Sequence, residues 1–230
     1  LLDKYRQAGG ERRMKCGVRQ IVAHAGRAAR LVLDSGEEIT ATHVLSSIGA
    51  PETERLLAGA KAAGEAPPTP VGRLSYVETI TVLDRPPAAL GWGDDTIVFF
   101  NDSEHFTYAQ PEAAVDPRSG VICLPNNFDF GADRQLPEGL FRCTCLARHD
   151  AWTAWPEEAY RAAKHHWYAA IQRSAQRFLP GLPTPDTLAR ATVATDMFTP
   201  RTITRFTGHL GGAIYGSPVK HRQGRTALGN

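Results

Sequence analysis

In GGERRMKCGVRQIVAHAGRAARLVLDSGEEITATHVLSSIGAP, residues 9–51, a glycine pair leads into a run of short strands joined by glycine turns. Glu11 to Cys16 reads as a first strand, and after Gly17 the pattern continues from Val18 to His24. Ala25, Gly26 and Arg27 make a turn, Ala29 to Leu33 the next strand, Asp34 to Gly36 another turn, and Glu38 to Thr42 a third strand. His43 to Ser46 then runs as an apolar strand towards Gly49 and Pro51, which stop it. The spacing predicts a β-meander feeding a buried strand.

On the N-terminal side, Leu1, Leu2 and Tyr5 form a short apolar stripe at helical spacing, closed by Gly9 and Gly10. This reads as the end of a helix whose beginning lies elsewhere, and the chain is expected to be a fragment. On the C-terminal side, Glu52 to Leu57 starts a short helix, and Lys61 to Pro70 (KAAGEAPPTP) has the composition of a linker. The expected division is a first domain over 1–64, an inserted domain over 65–195 and a return to the first domain over 196–230.

The inserted part reads as strands at Leu74 to Leu83, Thr96 to Phe100, Phe106 to Ala109, Gly120 to Leu124 and Leu140 to Leu146, forming an antiparallel sheet. Trp155, Pro156, Glu157 and Glu158 open a long helix with proline and acids where its first turn favours them. Tyr160, Ala163, Trp167, Ala170, Ile171 and Phe178 recur on one face until Pro180 and Gly181 end it. Thr192 to Thr195 is a further strand. The fold class is therefore mixed, α/β (α+β).

Composition excludes several functions. The chain has 230 residues and a formal net charge of +2, with both signs interspersed, so no field invites a nucleic acid. Its four cysteines form no CxxC, and Cys143 with Cys145 fall on one face of a strand as buried thiols. No disulfide scaffold or metal site is expected, and a cytoplasmic location follows. No run approaches the ~20 apolar residues of a membrane span. His165 and His166 are adjacent and face different ways, against a shared metal.

Catalytic motifs were weighed in turn. Gly211 to Ser217 lacks the Gly-Lys-Ser/Thr of a phosphate loop, no GxSxG elbow occurs, and Asp196, His209 and the serines have no spacing that marks a triad. No GxGxxG occurs either, though that fingerprint belongs to a first strand that a fragment would lack.

Residues 9–53 nevertheless resemble the middle of the phytoene desaturase and carotenoid isomerase group of flavoproteins, within the flavin amine oxidase superfamily. The resemblance lies in Gly9 and Gly10, Val18 and Ile21, Asp34 to Glu37, and Ser46 to Pro51. A second match runs through Thr199 and Pro200, Phe206 to Gly208, and Gly212 to Gly216, with Gly224, Arg225, Thr226 and Asn230 resembling the lead-in to a last flavin-binding strand.

The resemblance implies part of a Rossmann-like FAD-binding domain with an inserted substrate domain, and FAD as cofactor. It implies an FAD-dependent oxidoreductase, a desaturase, isomerase or saturase, acting on a polyene or other long apolar substrate. Val18 would offer its backbone to the adenine edge, Ser47, Gly49 and Ala50 would approach the cofactor, and Tyr215 and Gly216 would lie near substrate or flavin. No catalytic residue follows from it. It leaves room for peripheral membrane contact by the full-length protein. The alternative is a non-enzymatic prenyl- or lipid-binding module of the GDP-dissociation-inhibitor type. Trp92, Phe100, Phe106, Tyr108 and Trp167 could serve a tunnel or the core, with core packing the expected role.

Overall fold

The computed structural model describes residues 1–24, 27–57, 70–131, 134, 136–179 and 185–214. The chain divides after Pro70 into two compact units, the second including residues 71–131 and 185–214. Its class is the mixed α+β expected from the sequence, with antiparallel sheets and several helices.

The first unit contains α1 (Leu2–Gln7), β1 (Val18–His24), β2 (Arg27–Leu33), β3 (Glu38–Thr40) and α2 (Ala50–Leu56). The three strands form an antiparallel meander in the order β1-β2-β3. Its second turn is the three-residue loop Asp34-Ser35-Gly36, closed by Leu33 N–H donating to the Glu37 carbonyl at 2.9 Å. Ile21, Val32 and Leu33 are buried.

Two expected strands do not form. Residues 11–16 are not a strand because Lys15 takes a φ of 54°, which breaks an extended run. Arg13 instead sits between Glu11 and Glu37, 2.7 Å from each. Residues 43–46 pair with no described strand, and Leu45 is 98% exposed. Among the described residues, no strand lies beside the apolar pattern read there as buried.

The second unit is a five-stranded sheet with helices. Its strands are β4 (Ser75–Leu83), β5 (Ile97–Asn101), β6 (Ser119–Cys123), β7 (Gly139–Ala147) and β8 (Thr192–Phe198), in the order β5-β6-β7-β4-β8. All neighbours are antiparallel. The helices are α3 (His149–Ala154), α4 (Glu157–Gln176), α5 (Pro185–Ala191) and α6 (Pro200–Thr207). Residues 106–109, expected as a strand, form none. Residues 196–214 belong to this second unit, and residues 215–230 lie outside the described residues.

One face of the sheet is sealed. Ser75, Val77, Thr79, Thr81 and Leu83 alternate along β4 and are at most 1% exposed. Phe141, Cys143, Cys145 and Ala147 do the same along β7. Helix α4 covers this face, turning Ile171 and Ala175 into the core with Tyr160, Ala163, Trp167 and Phe178 packed against it. Several polar groups under the helix are paired, although Gln172 Oε1 and Ser75 Oγ are buried without a hydrogen-bond partner among the described residues. Gln172 Nε2 donates to Thr79 and Thr81 Oγ1 at 3.2 and 3.3 Å, and Tyr168 Oη lies 2.5 Å from Thr81 Oγ1. Trp92 is sealed against Phe141, centroids 5.0 Å apart. Among the described residues no helix is long and apolar enough to cross a membrane.

Close packing at β6 gives the first prediction. A Cβ on Gly120 would stand 2.5 Å from the Thr144 carbonyl oxygen and 2.9 Å from Cys145 Sγ. Gly120→Ala is therefore expected to cost about 1–3 kcal/mol through a forced shift of β7, read from the midpoint of urea unfolding.

Candidate functional site

The opposite face of the same sheet carries the alternate side chains of each strand and, among the described residues, is bordered by α6 rather than covered as the first face is by α4. Phe99 of β5 stands opposite Val121 of β6, Val121 opposite Thr144 of β7, and Thr144 opposite Glu78 of β4. These four form a row across the sheet. Tyr76 and Leu146, opposite one another, begin the next row. Together they floor a cavity of about 850 Å³, within the range usual for small-molecule sites.

The walls come from two places. Ile203 and Thr207 of α6 form one wall, continued by His209, Ala213 and Ile214. Phe106 and Tyr108 form the other, their rings 6.1 Å apart and stacked. Phe99, Phe106 and Tyr108 are all more than half exposed, an aromatic surface facing an open space rather than a core.

Helix α6 is set by its ends. Thr199 N–H donates to Thr202 Oγ1 at 3.2 Å, Pro200 occupies the first turn, and Gly208 follows the last residue. Thr199 Oγ1 also lies 2.9 Å from Tyr160 Oη of α4. Arg201 donates to the main-chain carbonyls of Trp152, at 2.9 Å, and Trp155, and its guanidinium lies 4.2 Å from the centre of the Tyr160 ring. From α3, His149 Nε2 meets Thr204 Oγ1 at 3.1 Å. Burial lowers the His149 pKa below its ordinary value, with Asp150 opposing.

Glu78 on the floor is ion-paired with Arg142 of β7; the Glu78 side chain is 13% exposed and that of Arg142 41%. Tyr76 stacks on Phe198 with centroids 5.8 Å apart, and its pKa is raised, first by burial and then by the Glu78 charge. Among the described residues no group of three histidines, cysteines or acids is placed to hold a metal.

The residues singled out from sequence fall elsewhere. Val18 is the first residue of β1, half-buried, on a strand that is the edge of its sheet. Gly49 and Ala50 are half-buried at the start of α2, which packs on β1, while Ser47 is exposed. Gly49 has φ 113° and ψ 152°, a conformation open to glycine and strained for other residues. Its carbonyl accepts from Thr53 Oγ1 at 2.6 Å, and Ser46 Oγ lies 2.7 Å from the same hydroxyl, so one threonine fixes the corner. Tyr215, Gly216 and Arg225 lie outside the described residues.

Of the five aromatics weighed for a tunnel, Trp92 is core and Trp167 packs on it. Phe100 is core and also reaches the cavity edge, and Phe106 and Tyr108 line it. Sequence reasoning missed Tyr76, Glu78 and Thr144. The available signal was a lone acid within the alternating LSYVETITVL, on the parity opposite to Val77, Thr79 and Thr81.

The fold resembles that of the crystal structure of an oxidoreductase from Methanosarcina mazei, with a TM-score of 0.51 and 13% sequence identity. The likeness covers 86% of this chain and 40% of that one, so the chain spans about two fifths of the length of this structural neighbour. No protein-family model and no curated protein matches the chain.

His149 is half-buried, and its lowered pKa makes stability depend on pH. Its folded pKa lies below the ordinary value of about 6.5, so between the two the unfolded chain binds more protons and stability falls as pH falls. The stability difference between the native protein and His149→Gln is expected to be constant above about pH 6.5 and to shrink below it. Urea unfolding of both across pH 5–8, on the order of that window, checks it.

Proposed function

We propose that the chain is part of an FAD-dependent oxidoreductase, a desaturase, isomerase or saturase acting on a polyene or other long apolar substrate. The observation that carries this reading is the cavity of about 850 Å³ floored by one face of a five-stranded sheet and walled by Phe99, Phe106, Tyr108, Ile203 and Ile214. Such a surface takes apolar material out of water at roughly 25 cal/mol per Å² buried. The fold likeness to a solved oxidoreductase supports the same reading.

The residues of the first unit suit an adenine-side contact. As an edge strand, β1 leaves one side of the backbone at Val18 without a strand partner among the described residues, which is what recognition by main-chain N–H and C=O needs. At the Gly49 corner the missing side chain leaves backbone accessible, and Ala50 adds little bulk. When bound, FAD would supply the hydride chemistry that protein side chains lack. The protein's own part is to hold the apolar body of the substrate on the sheet face and to exclude water from it.

The full-length protein is expected to purify yellow, with flavin bands in its visible spectrum and FAD released on denaturation. Val18→Ala, which leaves the backbone unchanged, should retain the flavin, and Gly49→Val, which strains the corner, should lower its occupancy several-fold. A colourless full-length protein that takes up no flavin overturns the reading. Uptake of a lipid by that colourless protein would favour the non-enzymatic binding module instead.

A further inference from the structure

The apolar cavity holds a carboxylate only half used. Arg142 directs both Nε and an Nη of its guanidinium at Oε1 of Glu78, and Oε2 has no partner among the described residues. Glu78 lines the cavity as the β4 end of the row that starts at Phe99, beside Tyr76 in the next row. Thr144, opposite Glu78, and Tyr76 bring hydroxyls to the same floor, while the amide of Asn101 is already engaged, exchanging hydrogen bonds with Ser103 at 2.8 Å.

We propose that Glu78 is a specificity-determining residue, and that the ligand of this cavity is an elongated apolar molecule carrying one neutral hydroxyl, which donates to Oε2. This rests on reading the cavity as the substrate site, but not on the flavin. Three considerations select a neutral donor. A pure hydrocarbon seated on the floor would strip water from Oε2 and return no hydrogen bond. A carboxylate would meet the like charge of Glu78. An ammonium would add a second cation to a carboxylate that Arg142 already balances, leaving net charge in an apolar site. An alcohol satisfies the oxygen without disturbing the pair. Tyr76, two residues away on the same face of β4, adds a phenol, neutral at about pH 7, rather than a competing charge.

The test uses the full-length protein with hexadecanol, hexadecyl methyl ether and hexadecanoate, each displacing Nile red from the cavity. Hexadecanol is expected to bind about tenfold or more tightly than the ether, and hexadecanoate more weakly than the alcohol. In Glu78→Gln the amide turns its oxygen to Arg142 and its N–H towards the ligand, so the alcohol's advantage over the ether should disappear. If that variant does not fold by circular dichroism, the double variant Glu78→Leu with Arg142→Leu removes the pair as a unit and should show the same loss. Equal binding of alcohol and ether by the native protein, or an alcohol preference that survives the foldable variant, overturns the inference. A colourless protein that still prefers the alcohol overturns the flavin reading alone. A yellow protein indifferent to the hydroxyl overturns this inference alone.

Discussion

Strand β4 has to satisfy two environments with one alternating sequence. Its odd positions, Ser75 through Leu83, are sealed on the face that α4 covers, and its even positions lie on the other face, where Tyr76 and Glu78 line the cavity. Because the side-chain period of a strand is two, a slip of one residue would put Glu78 under the helix and Val77 in the cavity. The neighbours reinforce the register. Thr79 and Thr81 meet Gln172, Thr81 meets Tyr168, and Cys143 and Cys145 on β7 fill the space between. The sheet order, the place of α4 and the composition of the cavity floor all follow from holding that register.

The polar contacts beneath α4 contribute to uniqueness more than to raw stability. A hydrogen bond that replaces one to water is worth only about 1 kcal/mol, yet an unpaired buried hydroxyl costs more than that. Thr79 and Thr81 therefore tolerate one placement of the helix and penalise others. A core made only of Leu and Ile would be less demanding. The ion pair on the opposite face is of a different kind, since a partly solvated carboxylate keeps much of its hydration until something covers it.

Much of the second unit was legible from pattern. β-branched runs marked β4 and β8, and the three-and-four spacing from Tyr160 to Phe178 marked α4, because in both cases local periodicity and burial agree. Residues 43–46 misled for a physical reason: an apolar extended segment states a preference for burial but cannot state what lies beside it, and here Leu45 is left in solvent. Residues 11–16 failed on one backbone angle, at Lys15, that no side-chain pattern announces. The cavity was nearly invisible. Its floor is assembled from one or two residues of each of four strands, so only the lone acid in LSYVETITVL hinted at a face with different work. The Thr-Pro and Thr-Gly elements noticed at 199–200 and 207–208 are the two ends of α6, which is why they stand at fixed spacing.

The attachment of α6 distributes freedom unevenly around the cavity. Arg201 fastens the helix to two main-chain carbonyls at the α3–α4 corner and stacks on Tyr160, while Thr199 and Thr204 tie it to α4 and α3. That wall behaves as a fixed jaw, referenced to the same helix that seals the far side of the sheet. The opposing aromatics, Phe106 and Tyr108, sit on chain outside any strand or helix. The two walls are thus built differently, one on hydrogen bonds between helices and the other on ring contact between Phe106 and Tyr108.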